Sequence, residues 1–108
     1  MKKLTWLKGD MKIEGAFYFD PSDKIYKDHF PGNPVVPGSV IAEGFVEAGK
    51  RAGLLKDGYT VKDFKFRKFV PPGRHFYIME TFQDQLRCRL YDGTSDKSKI
   101  LVTGVIDK

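Results

Sequence analysis

The 108 residues include 19 lysines and arginines against 14 aspartates and glutamates, a net charge of +5, with 41% hydrophobic and 14% aromatic residues. That apolar content suits one folded core and excludes a disordered chain. No apolar run reaches membrane-span length, and the opening Met1-Lys2-Lys3-Leu4-Thr5-Trp6 lacks a signal peptide's apolar segment.

In chain order, Lys3 to Lys8 reads as a short edge strand ending at Gly9-Asp10, and Met11 to Phe19 as a second, alternating strand. Asp20-Pro21-Ser22-Asp23 is turn chemistry, and Lys24 to Asp28 has room for one helical turn. A helix is expected from Ser39, a good N-cap, to Ala52, stopping near Gly53. Ile41, Phe45, Ala48, Ala52 and Leu55 recur at helical spacing as its core-facing stripe. Glu43 falls nearly opposite that stripe, near Glu47 and Lys50. Strands follow at Tyr59–Val70, with Phe64 and Phe66 inward against Lys65 and Arg67, then at Phe76–Phe82, Gln85–Tyr91 and Lys99–Ile106. One helix among five or six strands joined by tight turns is an α+β pattern with an antiparallel sheet, expected as a single domain over 1–108.

Before the helix lies His29-Phe30-Pro31-Gly32-Asn33-Pro34-Val35-Val36-Pro37-Gly38. Prolines fix φ and restrain the preceding residue, so this loop is stiff. It opens onto a helix start whose first N–H groups have no intrahelical partners. A histidine, free backbone donors and the carboxylate of Glu43 are thus tied together by one rigid segment.

The residues His29-Phe30-Pro31-Gly32, Pro34, Pro37-Gly38 and Glu43 resemble the signature of the 3-hydroxyacyl-(acyl carrier protein) dehydratases of the FabZ and FabA type. The block Phe64-Lys65-Phe66-Arg67-Lys68-Phe69-Val70-Pro71-Pro72-Gly73 resembles that family's basic-aromatic strand ending in Pro-Gly. The resemblance spans roughly Met11 to the C-terminus. It implies a hot-dog fold, one long helix wrapped by a curved antiparallel sheet. It also implies that His29 and Glu43 are the catalytic pair, supplied by different subunits of a dimer, with Gly38 N–H facing the thioester oxygen. Phe30, Pro31, Gly32, Pro37 and Glu47 would shape the site. Glu47 stands where the family has glutamine, Phe69 replaces a proline, and the chain is short at its N-terminus relative to the family.

The implied reaction dehydrates a 3-hydroxyacyl thioester to the trans-2-enoyl thioester, in fatty-acid or polyketide-type lipid biosynthesis. An unperturbed imidazole titrates at about 6.5, which suits His29 as the base for the α-proton. Glu43 would protonate or orient the leaving hydroxyl, and Gly38 N–H at the positive helix end would polarise the carbonyl. No metal or organic cofactor is expected. Two alternatives stay open: a hot-dog thioesterase using Glu43 without His29, and a non-catalytic acyl-binding or accessory subunit.

The remaining polar residues have plainer readings. Lys62, Lys65, Arg67 and Lys68 form either the solvent face of a strand or a docking patch for an acidic acyl carrier protein. Excess positive charge alone does not choose an acidic partner. With no basic amphipathic helix and no RNA-binding aromatic signature, neither nucleic acid nor membrane is the expected partner. A homodimer, open to higher assembly, is expected instead. His75 reads as a surface residue. Cys88, the single cysteine, reads as a packed or half-exposed strand residue and not a nucleophile; it cannot form an internal disulfide, which fits a cytoplasmic location.

Overall fold

The computed structural model describes residues 11–25, 34–93 and 99–108. Within them lie strand β1 (Lys12–Phe19), helix α1 (Gly38–Arg51) and strands β2 (Thr60–Phe66), β3 (Gly73–Phe82), β4 (Gln85–Asp92) and β5 (Lys99–Asp107). The strands form one antiparallel sheet in the order β1-β3-β4-β5-β2. The strands before and after the helix therefore take opposite edges. The α+β architecture with one helix on an antiparallel sheet is as expected from the sequence. The strand expected at Lys3–Lys8 lies outside the described residues, as does most of the turn expected at Lys24–Asp28.

The period of two along a strand decides what is buried. On β4, Leu86, Cys88 and Leu90 are buried while Arg87 stays exposed and Arg89 half-buried. They join Met79, Val102 and Ile106 from the neighbouring strands and close over Ile41, Phe45 and Val46 of α1. Tyr91, next after Leu90, points to the opposite face, where its ring lies 5.7 Å from that of Phe76.

The helix starts two residues earlier than a cap at Ser39 would set it, because its cap is Pro37. Pro37 is extended (φ −61°, ψ 145°) and makes no side-chain capping bond; its carbonyl instead accepts from Val40 N–H at 3.0 Å and Ile41 N–H at 3.2 Å. A proline's preset φ serves here, so Ser39 falls inside the first turn. At the other end Ala52 is the C-cap and is exposed, so it leaves the stripe. Val46 and Gly49 are buried in its place. A Cβ on Gly49 would lie 3.1 Å from Cδ2 of Leu86, so a small residue lets helix and sheet close up there.

Two strands also depart from expectation. β2 ends at Phe66 rather than Val70, and its pairing with β5 shifts between Lys62 and Lys65, where Asp63 has φ 53°. This bulge leaves Phe64 packed over Gly104 and Phe66 only half inside, 47% exposed beside the start of α1. β3 begins at Gly73, because β1 pairs with it from Phe19–Gly73 onward. His75 is thereby paired opposite Phe17 and is 4% exposed, which corrects its reading as a surface residue.

Candidate functional site

The N-terminal half of α1 stands between two open volumes. The first, a cavity of about 520 Å³, lies over the helix start and is lined by Ile25, Val35, Val36, Pro37, Gly38, Ser39, Ile41, Phe66, Lys68, Phe69 and Val70. Its walls are mostly aliphatic and aromatic, and Gly38 at the helix N-terminus, Ser39 and Lys68 complete the lining. The approach to the helix is held by Val36 N–H, which donates to Val70 O at 2.8 Å and ties the loop to the segment after β2. Gly38 is the first helical residue, so its N–H has no intrahelical acceptor and sits at the positive end of the helix dipole. A Cβ there would meet Cζ of Phe66 at 2.9 Å.

The second volume, a groove of about 600 Å³ between β1 and α1, is floored by Phe17, Phe19 and Tyr77 and walled by Glu43, Glu47 and Arg51. Phe17 stacks on Tyr77 with ring centroids 4.3 Å apart. Glu43 and Glu47 are exposed, one turn apart on the side of α1 away from the core. Among the described residues neither enters an ion pair. Lys50, expected near them, turns elsewhere: its ammonium lies 5.2 Å from the Tyr59 ring centre and 3.9 Å from Asp57. The structure thus places Gly38 and Glu43 on the same helix but in different openings of one chain. His29, Phe30, Pro31 and Gly32 lie outside the described residues.

The four basic docking candidates have different immediate surroundings. Lys62 is committed to Asp107 at 2.8 Å, an exposed pair that raises the lysine and lowers the carboxylate through hydrogen bonding and charge. Lys65 and Arg67 share a shallow surface with Arg87 and Arg89 across β2, β5 and β4, where Arg89 is ion-paired to Glu80. Lys68 alone of the four sits at the cavity.

His75 is the residue the sequence reading misjudged. Its Nε2–H donates to Pro71 O at 2.7 Å, while Nδ1 is buried with no partner among the described residues. Such an orphaned acceptor costs about 1–3 kcal/mol. The only signal for it in the sequence was its place two residues after Pro-Pro-Gly, where a strand could begin. Cys88 is 1% exposed, and burial pushes its thiol up to about 12, which keeps it protonated. Among the described residues no group of three His, Cys, Asp or Glu could hold a metal ion, and no helix is long and apolar enough to cross a membrane.

Comparison with known proteins adds a family to this geometry. Residues 6–105 match the ApeI-like family, described as ApeI dehydratase. The 3-hydroxyacyl-(acyl carrier protein) dehydratase FabZ of Herpetosiphon aurantiacus is 30% identical, over 96% of this chain and 77% of that protein. FabZ of Latilactobacillus sakei is 36% identical over 57% of this chain and 50% of its own length, so the chain spans about half of such relatives. Among solved structures, the dehydratase heterocomplex ApeI:P from Xenorhabdus doucetiae superimposes with a TM-score of 0.65 at 22% identity, covering 89% of this chain and 85% of that one. An uncharacterized protein from Erwinia carotovora gives 0.70 at 20% identity, covering 89% and 81%. Both carry the same fold.

Proposed function

We propose, for a chain that belongs to the ApeI-like dehydratase family, that it removes water from a 3-hydroxyacyl thioester to leave the trans-2-enoyl thioester. The observation that carries this reading is the helix start at Gly38, a residue whose N–H has no intrahelical acceptor and which lines a largely apolar cavity of about 520 Å³. A thioester needs both parts. The acyl chain takes the aliphatic and aromatic walls, and the carbonyl oxygen meets a fixed donor as enolate charge develops on it.

His29 acts as the base that removes the α-proton, and Glu43 protonates or orients the departing hydroxyl. Phe30, Pro31, Gly32 and Pro37 frame the histidine, and Glu47 adjoins the acid. Glu43 faces a groove apart from the cavity at Gly38. That separation supports a site shared between subunits, in which Glu43 serves the His29 of a second copy of this chain. The neighbour from Xenorhabdus doucetiae is a heterocomplex, so the mass of the purified chain in solution, measured alongside its activity, tests the homodimer.

The substrate is carried by an acidic acyl carrier protein, whose partner on this chain is Lys68 at the cavity mouth with Lys65 and Arg67 beyond it. The thiol of Cys88, buried and unpaired, suits the reducing cytoplasm. The test is incubation with 3-hydroxyacyl and trans-2-enoyl thioesters of several chain lengths, following both dehydration and hydration. Turnover in either direction is expected, and its absence at every length overturns the reading.

A further inference from the structure

We infer that His75 is a positioning residue for the candidate site, setting the start of α1 through the segment that follows β2. A buried histidine whose Nδ1 has no partner among the described residues is poor core material. Its place opposite Phe17, with the Phe19 ring 6.2 Å away, would suit an apolar side chain. What the imidazole supplies is the Nε2–H that grips Pro71 O at 2.7 Å, four residues back across the Pro71-Pro72-Gly73 turn. This bond requires a proton on Nε2, and Nδ1 has no partner among the described residues.

The next carbonyl along is the important one. Val70 O accepts Val36 N–H at 2.8 Å, and Val36 stands two residues before Gly38. Val70 is 1% exposed and Val36 3%, so both ends of that link are packed. Fixing Pro71 therefore fixes Val70, then Val36, then the Pro37-Gly38 step where the oxyanion donor is presented. His75 itself does not line the cavity, so its effect on a reaction passes through these backbone groups.

The inference rests on the proposed dehydratase reading for its kinetic arm only. Three variants of the full chain test it: His75→Gln, whose amide can still donate to Pro71 O; His75→Asn, one methylene too short; and His75→Leu, which removes both nitrogens. Amide hydrogen exchange at Val36, thermal midpoint and kcat and KM on a 3-hydroxyacyl thioester are read for each. For the Leu and Asn variants, exchange at Val36 is expected to rise about tenfold as the link loosens. Their kcat is expected to fall about 10- to 100-fold with KM within about twofold, because a small displacement of a fixed donor is felt in the transition state. His75→Gln is expected to restore both, and the thermal midpoint of His75→Leu to stay level or rise, since the orphaned Nδ1 is gone. Unchanged Val36 exchange in folded Leu and Asn variants overturns the inference. So does a Gln variant no better than Asn. Should His75→Leu fail to fold, the Gln and Asn pair carries the same comparison. Absence of dehydration in the unaltered chain sinks the proposed function instead, leaving the exchange arm to decide this point.

Discussion

Gly38 and Phe66 are held in contact by the absence of a side chain: a Cβ on the glycine would come within 2.9 Å of the tip of the phenylalanine ring. The contact joins the first residue of α1 to the last residue of β2, and both line the same cavity. Phe66 is 47% exposed, so its ring can give way without unfolding the core. Gly38→Ala is therefore expected to leave stability within about 1 kcal/mol and to displace the ring within the cavity. A loss of about 10- to 100-fold in kcat should follow, from a misplaced donor and a blocked wall. Phe66→Ala in the same chain should recover part of that loss, and a double-mutant cycle on kcat/KM measures the coupling.

Glu43 and His29 make a sharper pair of variants. Because Glu43 is exposed and in no ion pair among the described residues, Glu43→Gln should change stability by no more than about 0.5 kcal/mol. Activity should fall at least about 100-fold. If the acid serves the partner's histidine, mixing inactive His29→Ala and Glu43→Gln chains under refolding restores one intact site in each mixed dimer. Roughly a quarter of wild-type sites return at equal mixing. No recovery, with mixed dimers demonstrated by native mass spectrometry, places both groups in one chain.

Carrier docking should discriminate among the basic residues. Lys68→Glu is expected to raise KM for a carrier-bound substrate by about tenfold or more, with a far smaller effect on a short thioester lacking the carrier. Lys62→Ala, whose ammonium is already paired with Asp107, should alter neither. Equal effects of the two substitutions on carrier-bound substrate would remove Lys68 from this role.

The buried thiol gives a pH signature. Burial raises the folded thiol of Cys88 to about 12, above an unfolded value of about 8.5. Between those limits the folded state holds a proton that the unfolded state has lost. Stability is therefore full below the unfolded value and falls as pH rises through the window, by up to about 1.4 kcal/mol per unit from this group. Urea unfolding from pH 8 to 11 should show a shallower decline for Cys88→Ala than for the unaltered chain. The native thiol should resist alkylation at pH 8 and react once unfolded.

Gly104 tests the sheet behind the site. A Cβ there would run into the ring of Phe64, itself 6.0 Å from Phe45 of the helix. Gly104→Ala should cost about 1–3 kcal/mol in urea unfolding by prying β2 from β5. An unchanged midpoint would mean that Phe64 is free to leave this contact.

Much of the fold could be read from local pattern. Alternation along 85–91 marks β4, and helical spacing of Ile41 and Phe45 marks the buried side of α1, because both periods are properties of the local backbone. The cap at Pro37 and the exposure of Ala52 were not legible, since propensity favours serine as a cap and cannot locate the last turn.

By itself the sequence determined the two blocks that mark the family, His29–Glu43 and Phe64–Gly73, and the helix that carries Glu43. Each block is a short stretch, in which covalent neighbours and spacing carry the information. Tertiary structure decided how these residues are arranged. It put Gly38 against Phe66, left Glu43 in a separate groove, and divided Lys62, Lys65, Arg67 and Lys68 among three surroundings. It also buried His75, because that outcome depends on β1 pairing with β3 from Gly73 onward. Partners distant in the chain impose these results, 28 residues apart for Gly38 and Phe66 and 58 for Phe17 and His75, and no local period records them.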